Sequence, residues 1–486
     1  MLAIDQNSNT KSRTILINSL AFIYFAILIL LMILAPNIWL YSIFVITGLA
    51  FIFYSEQLGL NMIILLTMVF ERYFTLQSLV IDQTIYKLYP LDILIILTAI
   101  SFLIHLRLQK RARVQFIWGW PETLLIIFIL INLFTFIRSL TDYNVQVDIA
   151  FSTLKNYVFY SAIYFLIIYS VQKAKDLKRL IEVILLGGVI IIPFILYGLI
   201  TGQGLWTEFT PLSTTGLRLL AGTHAFYLCL SSLILLSFLA FKKFANQQIA
   251  GLILWIWLLG IAVSLMRHLW LALIVALVIL ILIIPKEAKK KILNFSAKNI
   301  LIIFSAIAII LTITSLYPRQ QLSANINTTG EYLVTRASSI VNLQEDASAI
   351  WRKDLWTIAL NSWLKNPMLG TGFGKRVNLQ TGDWQNYEEL RNLHNSPLAI
   401  LIQTGLIGFI LFIAFIISVL ATSFKQIYLN HELTPYYLPI ISAGVLFFIA
   451  SFFQPYLETN LTGIFFWIIL GLIRTITVVN KNSIQN

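Results

Sequence analysis

The sequence predicts an all-α protein that crosses a membrane many times, on three observations. Hydrophobic residues make up 59% of the 486-residue chain and charged residues only 11%, whereas about a quarter of a soluble domain is charged. Apolar runs of spanning length, about 17–25 residues, recur from one end to the other. Basic residues gather in short stretches between those runs. Only helices and closed barrels satisfy every backbone group in lipid. The short alternating segments of a barrel are absent, so each run reads as a helix.

In order, the runs fall at 15–34, 38–54, 59–70, 91–107, 122–138, 151–171, 179–200, 219–241, 249–266, 268–285, 299–317, 396–421, 436–453 and 460–478, about 14 transmembrane helices with a range of 12–14. The first, Ile15 to Leu34, is too long for a cleaved signal peptide and lacks a small-residue cleavage site, so it reads as a signal anchor. The 59–70 run is short and ends at Glu71-Arg72, which leaves a re-entrant segment open. Cys229 is the sole cysteine and lies in an apolar run, which excludes a disulfide framework and a thiolate metal site.

The net charge of +13 does not point to nucleic acid. Arg107, Lys110, Arg111 and Arg113 form one cluster; Lys173, Lys175, Lys178 and Arg179 a second; Lys242 and Lys243 a third; Lys286, Lys289, Lys290, Lys291 and Lys298 a fourth. Such clusters beside spans keep loops in the cytoplasm. With Lys11 and Arg13 also inside, every cluster is cytoplasmic, both termini are cytoplasmic, and 318–395 lies outside. The chain then divides into N-terminal helices (1–218), a first part of the membrane core (219–317), an extracytoplasmic lid (318–395), C-terminal helices (396–478) and a cytoplasmic tail (479–486).

The lid carries Tyr332, Trp351, Trp356, Trp363, Phe373, Trp384 and Tyr387, aromatics that a disordered linker would lack. Residues 348–364 fit an amphipathic helix with Ile350, Leu355, Trp356, Ala359 and Trp363 near one face. Asn366-Pro367 ends it, and Gly370, Gly372 and Gly374 make a tight turn.

Four residues could carry chemistry. His394, in Arg391-Asn-Leu-His394-Asn395-Ser-Pro, stands at the seam between lid and membrane. There an imidazole can titrate near neutral pH and take a proton from an acceptor hydroxyl; a packed surface histidine is the other reading. Arg267, in Ser264-Leu-Met-Arg267-His268-Leu-Trp270, interrupts an apolar stretch at an outer turn, as either a snorkelling arginine or a phosphate clamp. A guanidinium offers a planar fork of donors that matches phosphate oxygens and stays charged in a low-dielectric site. Arg218, in Gly216-Leu-Arg-Leu-Leu-Ala-Gly222-Thr223-His224, and Arg352, four residues before Trp356, lie on the same outer side. Three arginines facing His394 suit a diphosphate, whereas Arg319 and Arg336 read as solvated or structural. Asp346, Asp354, Asp383, Glu388 and Glu389 do not combine with histidines at metal-ligand spacing. Gly370-x-Gly372-x-Gly374 follows no strand, as a nucleotide loop would, and no Asp-x-Asp pattern occurs. The pattern favours a lipid-linked donor and chemistry without metal or other cofactor, with arginines as the counter-charge.

Four blocks in order resemble the O-antigen ligase and O-antigen polymerase superfamily. They are Arg218 with Gly222 and Thr223; Ser264 with Arg267 and Trp270; Arg352 with Trp356, Pro367, Gly370 and Gly372; and His394-Asn395 with Gly405 and Gly408. The resemblance covers 219–478 and is best over 336–412. It implies a glycosyltransferase-C-like fold in the inner (cytoplasmic) membrane with catalysis on the outer face. A glycan would pass from undecaprenyl diphosphate to a hydroxyl of a glycan, lipid or protein acceptor. His394 would be the base, Arg267, Arg352 and Arg218 the diphosphate ligands, and Asn395, Trp356, Gly370, Gly372 and His224 supporting residues. The family's adjacent Ser-Arg pair is here split by Leu265 and Met266, which leaves the role of Ser264 open. A polymerase of the same superfamily is the nearest rival. The remaining outer segments, 72–90 and 201–217, hold only Arg72, Asp82, Lys87 and Glu208, so a second arginine-rich loop is missing and a ligase is favoured. A lipid-linked glycan flippase would lack the aromatic lid, and a scaffold would not account for the outer arginines.

Overall fold

The computed structural model describes residues 16–17, 19–31, 38–54, 56–70, 79–81, 84–86, 89–108, 117–201, 204, 219–241, 246–292, 294, 347–376, 392–427 and 432–485. Its helices are α1 (Ser19–Leu31), α2 (Ile38–Tyr54), α3 (Glu56–Phe70), α4 (Pro90–Leu108), α5 (Trp120–Thr141), α6 (Val147–Ser170), α7 (Ala174–Thr201), α8 (Gly222–Phe241), α9 (Gln247–Val263), α10 (Arg267–Ile283), α11 (Ala347–Trp363), α12 (Ser396–Phe424), α13 (Thr434–Ser451) and α14 (Asn460–Gln485). Eight of these, α4 to α8 and α12 to α14, are long and apolar enough to cross a membrane; α1, α2, α3, α9 and α10 are shorter apolar helices. Every predicted run coincides with a helix except 299–317, which lies outside the described residues. Two short antiparallel strands, β1 (Leu79–Ile81) and β2 (Thr84–Tyr86), sit in the connection before α4, where the sequence reading had only loop.

The bundle is built around α8, α12 and α14. Phe412 of α12 packs on Phe128 of α5 and Phe466 of α14, at ring separations of 5.4 and 5.8 Å. Phe415 packs on Tyr164 of α6 and Trp467 of α14, at 5.6 and 6.0 Å. Large apolar side chains on the outside, such as Leu130, Phe134 and Ile137 on α5 and Leu271, Ile274 and Val278 on α10, are exposed. A helix apolar on both faces belongs in lipid.

Among the described residues, the charges buried between the apolar helices are paired, as lipid requires. Arg474 of α14 donates to both carboxylate oxygens of Glu122 at 2.8 and 3.0 Å, and Tyr164 donates to the same group at 2.8 Å. Lys155 of α6 donates to Asp92 of α4 at 2.8 Å, with Tyr160 donating to the second oxygen at 2.7 Å. Lys155 opens a π-helical segment, Lys155–Phe159, in which the Tyr160 amide reaches back five residues to the Lys155 carbonyl.

Long-range contacts sort the connections into two ends. At one, Lys178 lies over the Tyr436 ring, Arg179 donates to Gln57, and Asn480 donates to the Gln426 carbonyl. That end carries the basic residues 173–179 and 286–291. At the other, the connections 142–146, 264–266, 364–376, 392–395 and 452–459 meet, joined by contacts such as Tyr143 to Gly370, His268 to Tyr456 and His394 to Gln454.

The most unusual backbone feature is a break inside α12. Gly405 has φ +71° and ψ −173°, so the helix stops and restarts there. A break in a membrane helix frees carbonyls before it and amides after it, and each needs a partner. The turn after α11 supplies them. The Thr371 amide donates to the Ile402 carbonyl at 2.8 Å and the Gly372 amide to Gln403 at 3.1 Å; in return the Leu406 and Ile407 amides donate to Pro367 and Met368 at 2.9 and 3.3 Å. Gly370, Gly372 and Gly374 all have positive φ, as the predicted tight turn needs. The two backbones touch: a Cβ on Gly405 would stand 2.2 Å from the Met368 carbonyl oxygen, and one on Gly370 would stand 2.5 Å from both the Gln403 oxygen and the Gly405 nitrogen.

Gly405→Ala and Gly370→Ala should each lower the detergent-solubilised melting temperature clearly, because each adds the positive-φ penalty of about 1–2 kcal/mol to a backbone collision. Unchanged melting in either variant would show that the break is not held by this contact.

Candidate active site

His394 is held from three directions at the end where the connections meet. Its backbone lies in the left-handed region, φ +50°, which a non-glycine residue adopts only when its surroundings enforce it. Asn395 supplies part of that enforcement. It is the N-cap of α12, with its side-chain oxygen accepting from the Leu398 amide at 3.0 Å and Pro397 in the first turn, the usual chemistry of a helix start. On the other side, the Trp356 indole of α11 donates to the Leu393 carbonyl at 2.7 Å. Trp351 sets its ring edge-to-face against the imidazole, centroids 5.1 Å apart. The third contact is Gln454, in the α13–α14 connection, whose Oε1 is 3.2 Å from His394 Nδ1.

Helix α11 reaches this place because its apolar stripe packs on the first half of α12. Trp351, Leu355 and Ala359, spaced four apart, are buried with Leu393, Ala399 and Ile402. The helix begins and ends within a residue of its predicted limits, but the face is turned slightly. Ile350 is 47% exposed, and Trp351 takes the buried place expected for it.

Burial and, second to it, the positive charge of Arg352 lower the His394 pKa to about 4. This corrects the expectation of titration near neutrality: a half-buried imidazole beside a guanidinium loses its charged form first. His394 is therefore neutral at physiological pH. Arg352 is half-buried on α11, near enough for its field to be felt at the ring.

Arg267 is the first residue of α10, half-buried, beside His268, whose Nε2 lies 2.9 Å from the Tyr456 hydroxyl. Tyr456 and Gln454 belong to one short turn, so Arg267, Arg352 and His394 share an end of the bundle. Arg218 lies outside the described residues. Ser264 ends α9; its hydroxyl donates to the Ile261 carbonyl at 2.7 Å and accepts from the Met266 amide at 3.3 Å, so it shapes the turn that presents Arg267. Gly222 sits against Met266 of that turn. His224 goes elsewhere: it is fully buried in α8, its Nε2 3.1 Å from the Val69 carbonyl and its ring 4.8 Å from Phe194, a core contact between α3, α7 and α8. Gly370 and Gly372 serve the backbone exchange described above.

The turn 452–459 holds the residues that sequence reasoning missed. Besides Gln454 and Tyr456 it contributes Glu458, whose carboxylate accepts from Ser396 at 2.5 Å and from Tyr157 at 2.8 Å, and whose carbonyl accepts from Asn156 at 2.6 Å. Burial raises the Glu458 carboxyl above its ordinary pKa. The available signal was a short polar stretch, Gln454-Pro-Tyr-Leu-Glu458-Thr, between two apolar runs. Arg138 at the end of α5 was missed too; it donates to the Leu369 carbonyl at 2.9 Å and pairs with Asp142 at 3.1 Å, buttressing the turn that fills the α12 break.

No curated protein matches the chain. Residues 252–413, from α9 past the break in α12, match the family model described as O-antigen ligase, and over that third of the chain the protein is similar to that family.

Proposed function

We propose that the chain is a ligase-type membrane glycosyltransferase in which His394 is the general base and Arg267 and Arg352 seat the diphosphate of a polyprenyl-linked glycan. The observation that carries this reading is a neutral imidazole, fixed by Gln454, Trp351 and the Asn395 cap, within the field of a half-buried arginine. A bare ring nitrogen takes the proton of the acceptor hydroxyl as its oxygen bonds to the anomeric carbon of the glycan. The anomeric carbon–oxygen bond to the diphosphate breaks, and its electron pair leaves on the diphosphate, where the guanidinium groups stabilise it. No metal enters this scheme. The donor is read as undecaprenyl diphosphate-linked and the acceptor as a glycan, lipid or protein hydroxyl. Arg218 is a third candidate ligand for the diphosphate.

Orientation follows the same reading. The clusters 173–179 and 286–291 lie at the end opposite His394, which by the positive-inside rule supports catalysis on the outer face of the inner membrane with both termini in the cytoplasm. A cysteine at exposed Lys365, in a Cys229→Ser background, should react with a membrane-impermeant thiol reagent on intact cells. Labelling only after lysis would reverse the orientation.

His394→Ala should lower transfer about 10²–10⁴-fold with expression and insertion unchanged; retention of more than about a third of turnover would make His394 structural. The pH profile gives a second check. The base works when neutral, so kcat/KM should fall only as pH drops through about 4. The limb in kcat should lie higher, because a bound diphosphate offsets the Arg352 charge that holds the pKa down. A limb in kcat/KM near the ordinary histidine value of about 6.5 would contradict the burial of the ring.

Arg267→Lys and Arg352→Lys should both fail to restore activity, since lysine keeps the charge but loses the two-pronged geometry. Full turnover in either would demote that arginine to a surface charge. The rival within the superfamily is a polymerase, which differs in acceptor. With donor alone a ligase makes no lengthened lipid-diphosphate glycan; a ladder of such products would assign polymerase and leave the base and arginines in place.

A further inference from the structure

The imidazole of His394 has two ring nitrogens, and only a nitrogen without a proton can act as a base. Nδ1 faces Oε1 of Gln454 at 3.2 Å. A carboxamide oxygen has no proton to give, so the contact is a hydrogen bond only when Nδ1 carries the proton. We propose that Gln454 is a positioning residue that fixes His394 as the Nδ1–H tautomer, leaving Nε2 bare to face the acceptor. The inference rests on the assignment of His394 as the base, but the tautomer itself is a property of the resting protein.

The surroundings of Gln454 hold its amide in place. It opens the turn 454–459, where Pro455 follows it and the Tyr456 amide donates back to its carbonyl at 2.8 Å. That carbonyl also accepts from Ser396 Oγ at 3.4 Å, and Ser396 donates to Glu458. Tyr456 is pinned by His268, and Glu458 by Tyr157. The side chain that orients the base thus stands on a turn tied to α6, α10 and the first residue of α12. Among the described residues, the groups around His394 that carry or can change charge are Arg352 on α11, Glu458 behind Ser396, and Tyr456 and His268 on the far side of the turn. Arg352 opposes protonation of the ring. A neutral amide at 454 orients the ring without adding a charge that would turn it into an imidazolium and remove its lone pair.

The chain has five histidines, so nitrogen-15 spectra of histidine-labelled protein, with His394→Gln to assign the missing pair of signals, report the tautomer directly. Wild-type His394 should show a protonated Nδ1 and a bare Nε2; the opposite tautomer would overturn the proposal. Gln454→Leu should mix the two tautomers and lower kcat about 10- to 100-fold, the range found when the group orienting a metal-bound histidine is removed, with KM for donor little changed. An unmixed Nδ1–H signal in that variant would equally overturn it. Gln454→Glu puts a carboxylate opposite Nδ1–H, so the titration midpoint of the His394 signals themselves should move up; an unmoved midpoint would show that residue 454 does not face the ring. These readings hold whether or not His394→Ala abolishes transfer, so failure of the catalytic assignment and failure of the tautomer assignment are told apart.

Discussion

A membrane helix that breaks must find new partners for the backbone groups it releases, and in this protein the partners come from the turn after α11. The exchange of hydrogen bonds between 402–407 of α12 and 367–372 is what ties α11 to the bundle. It fixes where α11 ends, since the Trp363 indole donates to the Pro367 carbonyl beside the same junction. With its end fixed, α11 lays Trp351, Leu355 and Ala359 against the first half of α12, and the two tryptophans near its start then reach Leu393 and His394. The site is thus assembled at one end of a short helical segment, between the Asn395 cap and the Gly405 break, whose other end is clamped. Arg138, Ser139 and Tyr143 of the α5 terminus close the clamp from outside; the Phe373 amide donates to Ser139 Oγ at 2.6 Å.

The electrostatics of the site follow from the same enclosure. Burial alone disfavours a charged imidazole, and a guanidinium next to it disfavours it further. On the proposed reading, an anion bound near Arg352 would relax that field and make the ring a stronger base. Among the described residues, the buried pairs Glu122 with Arg474 and Asp92 with Lys155 hold helices of the bundle together.

Much of this was legible in the sequence, and what was not has physical reasons. Spans were readable because lipid imposes a length and a composition. The Asn395-Ser-Pro start of α12, the Asn366-Pro367 stop and the glycine turn were readable because caps and turns are local chemistry. The face of α11 was misplaced by one residue because Ile350 and Trp351 are both apolar, and only the partner surface chooses between them. Gln454, Tyr456 and Glu458 were invisible because their partners lie 58 to 302 residues away. His224 was grouped with the arginines by sequence proximity, whereas its ring is claimed by the end of α3. Gly405 was noticed as part of a motif, but nothing local says that a glycine in an apolar run will adopt φ +71° instead of helix.

The two ends of the bundle also constrain the part of the chain between α10 and α11. Helix α9 rises to the turn 264–266 at the His394 end, and α10 returns to Lys286–Lys291 at the basic end. The described residues resume at Ala347, on a helix packed against the first turns of α12 at the His394 end. These two described ends lie at opposite ends of the bundle. A folded lid cannot supply a passage between them, because that passage needs about 20 apolar residues in a row to remain in lipid. Between Lys298 and Pro318 the sequence supplies one such run, 299–317.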